Sequence, residues 1–211
     1  MNLSAISGIA GDACYAALAA VAVWGAYCLV IIWRRAAQLR FRNEREQHDY
    51  LAQVEARLVA GDMQGVFDAC RQDARAIPQL IAQSIEQKQL GYVKLRHEIV
   101  ESFRREVLSD LEHRMSWVVV VIKTAPMLGL FGTVLGMMSA FAKLSGGDKV
   151  EPTQLADDIS LALITTAIGL AIAIPLTIGL ASATIHIRKL EDLVTVGLTR
   201  FFDVLKPLLG K

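Results

Sequence analysis

ISLALITTAIGLAIAIPLTIGLASATI, residues 159–185, decides how this chain folds. The stretch runs 27 residues without an Asp, Glu, His, Lys or Arg. A bilayer core about 30 Å thick takes roughly 20 apolar helical residues to cross, so it is long enough to span. Within it Thr165, Gly169, Ala173, Thr177 and Ala181 recur every four residues and share one helical face. Working outward, ACYAALAAVAVWGAYCLVIIW (13–33) is also free of charge, and between Ser116 and Leu144 the only charges are Lys123 and Lys143. Three spans in 211 residues, with 54% hydrophobic side chains, predict an all-α membrane protein with three transmembrane helices. They exclude a soluble enzyme built on a single globular core. The 22 basic and 21 acidic residues nearly cancel, so there is no polybasic field for nucleic acid.

Charge sets the expected orientation. Arg34 and Arg35 follow the first span directly, whereas residues 1–12 carry only Asp12. Excess Lys and Arg mark the cytoplasmic side, and Trp33 sits where an interfacial ring anchors a helix. The expected division is therefore a periplasmic N-terminus (1–12), a first span (13–33), a cytoplasmic helical domain (34–115), a second span (116–142), a periplasmic loop (143–158), a third span (159–185) and a cytoplasmic C-terminal helix (186–211). The two cytoplasmic segments then hold 19 of the basic and 16 of the acidic residues. Without a basic region before its apolar run, the first span is expected to be a retained anchor rather than a cleaved signal.

The cytoplasmic segments read as helices. Leu39, Leu51, Val54, Leu58 and Val59 predict an amphipathic helix over 36–60, broken at Gly61-Asp62, with Asp62 capping a short helix near 63–75. Apolar residues from Leu80 to Leu111 recur at three and four and predict one long helix over about 79–115, interrupted by no strong breaker but Gly91. Leu190, Leu193, Val194, Leu198, Phe201, Phe202 and Leu205 continue the third span helically toward Pro207. Apolar stripes on isolated helices need partners, which an antiparallel bundle and neighbouring copies would supply. Cys14 and Cys28 are 14 residues apart on one helix, about 21 Å at 1.5 Å per residue, too far for a disulfide. With Cys70 they read as buried small hydrophobes.

The spans carry a polar pattern. Gly129, Gly132, Gly136 and Ala140 form a small-residue ridge in the second span. Small residues let helix backbones approach closely in lipid, where little else drives association. Thr133, Thr165, Thr166 and Thr177 place hydroxyls at membrane depth; each can bond its own helix or line a wet path. Pro126 and Pro175 free the carbonyls of Ile122 and Ala171 from their helical donors. The third span offers no titratable side chain, and proton relays generally use one, so a conducted proton would have to be carried by a partner helix. Lys123 reads as a snorkelling cation or a group at the inner mouth of a channel.

At these residues the sequence resembles the MotA/TolQ/ExbB proton channel family, nearer its three-span ExbB and TolQ members than four-span MotA. APMLGLFGTVLGMMSAF (125–141) and LALITTAIGLAIAIP (161–175) carry the resemblance, together with the order of the segments. It implies a homopentameric ring in the bacterial inner membrane, a stator-like ion-channel subunit around single-span helices of the ExbD/TolR type. That partner would supply the proton-binding Asp, and a TonB- or TolA-like transducer would receive the work. Thr133 and Thr166 match the family's channel threonines, with Thr165 beside them in the ion pathway. Pro126 and Pro175 match its paired prolines, while Gly129, Gly132, Gly136 and Gly169 serve helix packing. The sequence departs from the family at Leu161, where a glutamate is usual. The alternatives are a sodium-driven motor stator and a structural scaffold without conduction. No catalytic residue, metal site or cofactor is expected. His97-Glu98-Ile99-Val100-Glu101 lacks the second histidine of a zinc motif, the glycines at 129–136 lack the Gly-Lys-Ser/Thr of a phosphate loop, and Asp148, Glu151, Asp157 and Asp158 lack EF-hand spacing. Asp157 or Asp158 is expected to cap the third helix.

Overall fold

The computed structural model describes residues 3–145 and 152–209, and among them there is helix and no strand. The helices are α1 (Leu3–Leu39), α2 (Glu44–Val59), α3 (Met63–Arg71), α4 (Ala76–Glu86), α5 (Tyr92–Phe103), α6 (Ser109–Ser145) and α7 (Pro152–Leu209). A 3₁₀ turn at Lys88–Leu90 precedes α5, and a π turn at Arg104–Leu108 joins α5 to α6. Three stretches are long and apolar enough to cross a membrane: Ala13–Leu39, Tyr92–Leu144 and Leu155–Pro207. The protein is an all-α, multi-pass membrane protein. Its chain divides into two compact units, an apolar one (Met1–Val30 and Arg114–Ser182) and a polar one (Ile31–His113 and Ala183–Lys211).

In the apolar unit glycines decide how the helices meet. A Cβ placed on Gly129 would lie 2.7 Å from the Thr165 carbonyl oxygen, and one on Gly169 would lie 2.6 Å from that of Ala125. The two contacts run in opposite directions along the chain, so α6 and α7 are antiparallel here. Gly25 brings α1 against both, since its Cβ would meet Val121 at 2.7 Å and Leu176 at 2.8 Å. Gly179 admits Leu29 in the same way. Two side chains of α1 then bond to the other helices: the Cys14 thiol donates to the Leu128 carbonyl (3.2 Å), and the Tyr15 hydroxyl to that of Leu161 (3.3 Å). Met127, Leu130, Phe131, Val134, Met138 and Phe141 of α6 face outward at helical spacing, as do Ile174 and Ile178 of α7. An exposed apolar band of this kind suits lipid or a sibling helix.

The polar unit is organised around α4, where Ile77, Leu80, Ile81, Ala82, Ser84 and Ile85 are all buried. The later part of α7 buries Leu190, Val194, Leu198, Phe201, Phe202 and Leu205 on one side. Phe202 meets Phe201 and Tyr92 edge to face, at 5.5 and 6.2 Å between ring centres. Polar ties hold α2 to α7: Gln47 donates to the Leu193 carbonyl (2.8 Å), and Glu55 pairs with Arg200. Cys14, Cys28 and Cys70 are buried free thiols.

Three local expectations change. The helix over 36–60 is two helices, because α1 continues to Leu39 and the chain turns before α2 begins at Glu44. The turn is fixed by Phe41, an apolar ring buried to 3% exposure among charged neighbours. The helix over 79–115 is also interrupted: α4 ends at Glu86, and Gly91 adopts φ 75°, ψ 152°, a region open to glycine and almost nothing else. α5 restarts from it with Leu95 N–H bonded to the Gly91 carbonyl (2.9 Å). Finally, α7 begins at Pro152, so Asp157 and Asp158 lie within the helix and do not cap it. Proline suits this first helical position because its missing N–H is not needed there. Asp148 and Glu151 of the acidic group lie outside the described residues. The break at Gly61 (φ 83°) and the Asp62 cap, which accepts from Gly65 N–H at 2.9 Å, are as expected.

Candidate functional site

Six of the sequence-predicted site residues, Pro126, Gly129, Gly132, Thr165, Thr166 and Gly169, meet in the apolar unit, where α6 crosses α7. Gly129 and Gly132 of α6 face Thr165 and Thr166 of α7. A Cβ on Gly129 would also lie 2.9 Å from Thr166 Cα, and one on Gly132 would lie 2.5 Å from Thr165 Oγ1. One turn along, Gly169 faces the backbone of Ala125 and Pro126. The close approach therefore rests on bare backbone on both helices, the condition that small residues exist to meet in lipid.

The four threonines Thr133, Thr165, Thr166 and Thr177 separate by what their hydroxyls do. Thr133 donates to the Leu130 carbonyl of its own helix (2.6 Å), and Thr177 to that of Ala173 (2.8 Å). These bonds satisfy the hydroxyl locally, as threonine commonly does inside a helix. Thr165 is 4% exposed, and its hydroxyl lies 2.7 Å from the Ala162 carbonyl and 3.0 Å from the Gly129 carbonyl on the facing helix. Thr166 differs from all of them, because its Oγ1 is buried and has no hydrogen-bond partner. It is the one such side-chain atom among the described residues of the apolar unit. Leaving a buried polar group unsatisfied costs about 1–3 kcal/mol. An atom of this kind is where water, an ion or a second chain would be stabilised.

The remaining residues are placed unevenly. Pro126 is half-buried at the crossing, while Pro175 and Ala171, whose carbonyl it frees, lie on an exposed face of α7. Gly136 is half-buried and Lys123 exposed. Leu161 turns its side chain outward (56% exposed) while its carbonyl accepts from Tyr15. No group of three or more His, Cys, Asp or Glu side chains comes together among the described residues in a way that could hold a metal ion.

Two features were invisible to pattern reading. Gly25 and Gly179 are close-approach glycines on the α1 side, and a lone glycine in a span was their only sequence signal. In the polar unit, the Arg75 guanidinium lies 4.0 Å above the Phe41 ring, is gripped by Asp73 and reaches Glu46 at 2.8 Å. Hydrogen bonds from Arg75 hold the Asp73 carboxyl below its ordinary range. Beside them Tyr50 and Cys70 share a hydrogen bond (3.2 Å), and burial pushes both groups up. The cluster locks the turn between α1 and α2.

Residues 72–195, more than half of the chain, match the model of the MotA/TolQ/ExbB proton channel family. The chain belongs to that family. The matched segment includes the whole α6/α7 crossing. Over 91 residues the chain is 39% identical to the Tol-Pal system protein TolQ of Haemophilus influenzae, which is 43% of this chain and 40% of that protein. Over 95 residues it is 43% identical to an ExbB-like biopolymer transport protein of Synechocystis sp. (40% and 37%). Over 89 residues it is 35% identical to the biopolymer transport protein ExbB of Aquifex aeolicus (41% and 60%). The chain thus spans two-fifths to three-fifths of the length of these relatives.

Proposed function

We propose that this member of the MotA/TolQ/ExbB family is an inner-membrane ion-channel subunit. With an ExbD/TolR-like partner it would use the proton motive force to drive mechanical work on the cell envelope, as in TonB- or Tol-type transport. The observation that carries the proposal is Thr166, whose hydroxyl is buried without a partner in a span that has no titratable side chain from Ile159 to Ile185. A wall with an unbonded hydroxyl and no acid can receive a proton carrier but cannot be one. The carrying carboxylate belongs to the partner, a single-span helix with an aspartate. Five copies of the chain form the ring, and their outward apolar bands meet one another and the lipid.

The orientation follows the charge distribution. Residues 1–12 and 143–158 lie in the periplasm, 34–115 and 186–211 in the cytoplasm, and 13–33, 116–142 and 159–185 within the bilayer. Thr133 and Thr166 serve the ion path, Pro126 and Pro175 adjust the helices, and Gly129, Gly132, Gly136 and Gly169 hold them close. Thr166→Val tests this. The variant is expected to assemble as the native chain does, read by native mass spectrometry, and to lose most proton uptake when reconstituted with its partner. Full uptake at normal assembly refutes the proposal. One observation favours a scaffold instead: Thr133 and Thr177 satisfy their own helices. A scaffold tolerates Thr166→Val and fails with Gly132→Leu.

A further inference from the structure

Adjacent threonines on α7 have different surroundings, and the difference assigns a job to the one that is not open. Thr165 has a single hydroxyl proton and two carbonyls in reach, Ala162 on its own helix at 2.7 Å and Gly129 on α6 at 3.0 Å. The bond to Ala162 does nothing for the contact between helices. The bond to Gly129 closes it at a point of close backbone approach, since a Cβ on Gly129 would lie 2.7 Å from the Thr165 carbonyl and 2.9 Å from Thr166 Cα. Gly132 completes the seat, because a Cβ there would lie 2.5 Å from the Thr165 hydroxyl and 2.9 Å from its Cβ.

We propose that Thr165 is a positioning residue: its hydroxyl, shared across the crossing with the Gly129 carbonyl, fixes the register of α6 against α7 and so holds the Thr166 hydroxyl in its unbonded place. The same level is tied to α1, whose Cys14 donates to Leu128, next to Gly129, and whose Tyr15 donates to Leu161, one turn before Thr165. Three donors, two on α1 and one on α7, thus join three helices at one depth. Sliding α7 by a turn would break two of these bonds and carry Thr166 away from Gly129. In hydrocarbon such interhelical bonds add only modestly to stability. Their effect is on register more than on overall stability.

The test compares Thr165→Val, which keeps the shape and removes the hydroxyl, with Thr165→Ser, which keeps the hydroxyl and removes a methyl. The full chain in lipid, labelled with carbonyl-¹³C glycine and ¹⁵N leucine, gives solid-state NMR signals from the Gly–Leu pairs at 129/130, 169/170, 179/180 and 197/198. Thr165→Val is expected to shift the Gly129 carbonyl signal, and Thr165→Ser to leave it in place. A Gly129 signal unmoved by Thr165→Val overturns the proposal, and so does one moved as far by Thr165→Ser. Proton uptake with the partner, which rests on the function proposed above, is the second readout. Positioning predicts that Ser retains it and Val lowers it, whereas a packing role gives the reverse order. If uptake is absent in the native chain as well, the proposed function fails, and the NMR comparison still decides the role of Thr165.

Discussion

Gly169→Ala adds one methyl group at the most confined point of the helix crossing. The new Cβ would lie 2.6 Å from the Ala125 carbonyl oxygen and 3.2 Å from Pro126 Cα. Both are backbone atoms, so no side chain can swing aside. Comfortable C···O contact is about 3.3–3.6 Å, and the helices must part by on the order of 0.7–1 Å to reach it. A gap of about that size forfeits a quarter to a half of each dispersion contact along the seam. It also stretches the Thr165–Gly129 bond, now 3.0 Å, past the range in which a hydrogen bond holds. Overpacking of this kind costs about 1–3 kcal/mol, and better helix propensity returns roughly 1 kcal/mol of it. The net expectation is a less stable apolar unit and an unfolding midpoint several degrees lower, measured by heating the purified full chain in detergent. Gly11→Ala is the matched control, with nothing within 4 Å of its Cβ; there only the propensity gain of about 0.5–1 kcal/mol remains, and stability rises. If Gly169→Ala melts at or above the native midpoint, the crossing is not as tight as described and the argument from close backbone approach fails.

The other predictions follow from the polar unit and the site. Asp73 has its folded pKa depressed by Arg75, so its contribution to stability is complete above the unfolded value, about 3.9, and is lost as pH falls through the lower folded value. Asp73→Asn is therefore expected to lower the unfolding midpoint at neutral pH, with the gap to the native chain closing below about pH 4; a gap independent of pH would sink the linkage. Cys70 is fully buried and its thiol is pushed up by that burial, so maleimide is expected to modify it only on unfolding. Rapid labelling of the folded chain at neutral pH would contradict the packing of the polar unit. Thr166→Val and the Thr165 pair carry the outcomes given with their proposals.

What the sequence made legible was set by charge and size. An uncharged run of 27 residues has few fates besides a span, and a four-residue repeat of small residues marks a contact face whatever it contacts. Gly129, Gly132 and Gly169 were readable for that reason. The break before α2 was not, because Phe41 and Arg75 are 34 residues apart in sequence and only tertiary packing brings the guanidinium onto the ring. Gly91 marks only a mild interruption in the sequence, since a glycine within a periodic stretch does not reveal the sign of its φ. The threonines show the limit most clearly. The sequence sets Thr165 and Thr166 side by side, and although the family resemblance singles out Thr166, only the fold separates a donor turned into the seam from one with nothing to bond.

That separation bears on how a span without acids can work. A helix turns about 100° per residue, so neighbouring threonines cannot both turn their hydroxyls to the Gly129 carbonyl. Thr165 turns its hydroxyl to that carbonyl and can hold the seam; Thr166 keeps its Cα at the seam, while its buried hydroxyl bonds no carbonyl of either helix. Had both hydroxyls been satisfied, the crossing would be stable and inert. Had neither been, two unpaired polar groups would work against helix association at the point where backbones meet. One bonded and one unbonded hydroxyl gives a crossing that is closed along the seam and still holds a buried polar atom without a partner. In the proposed ring it is this asymmetry, more than the number of hydroxyls, that the third span offers to a permeating ion.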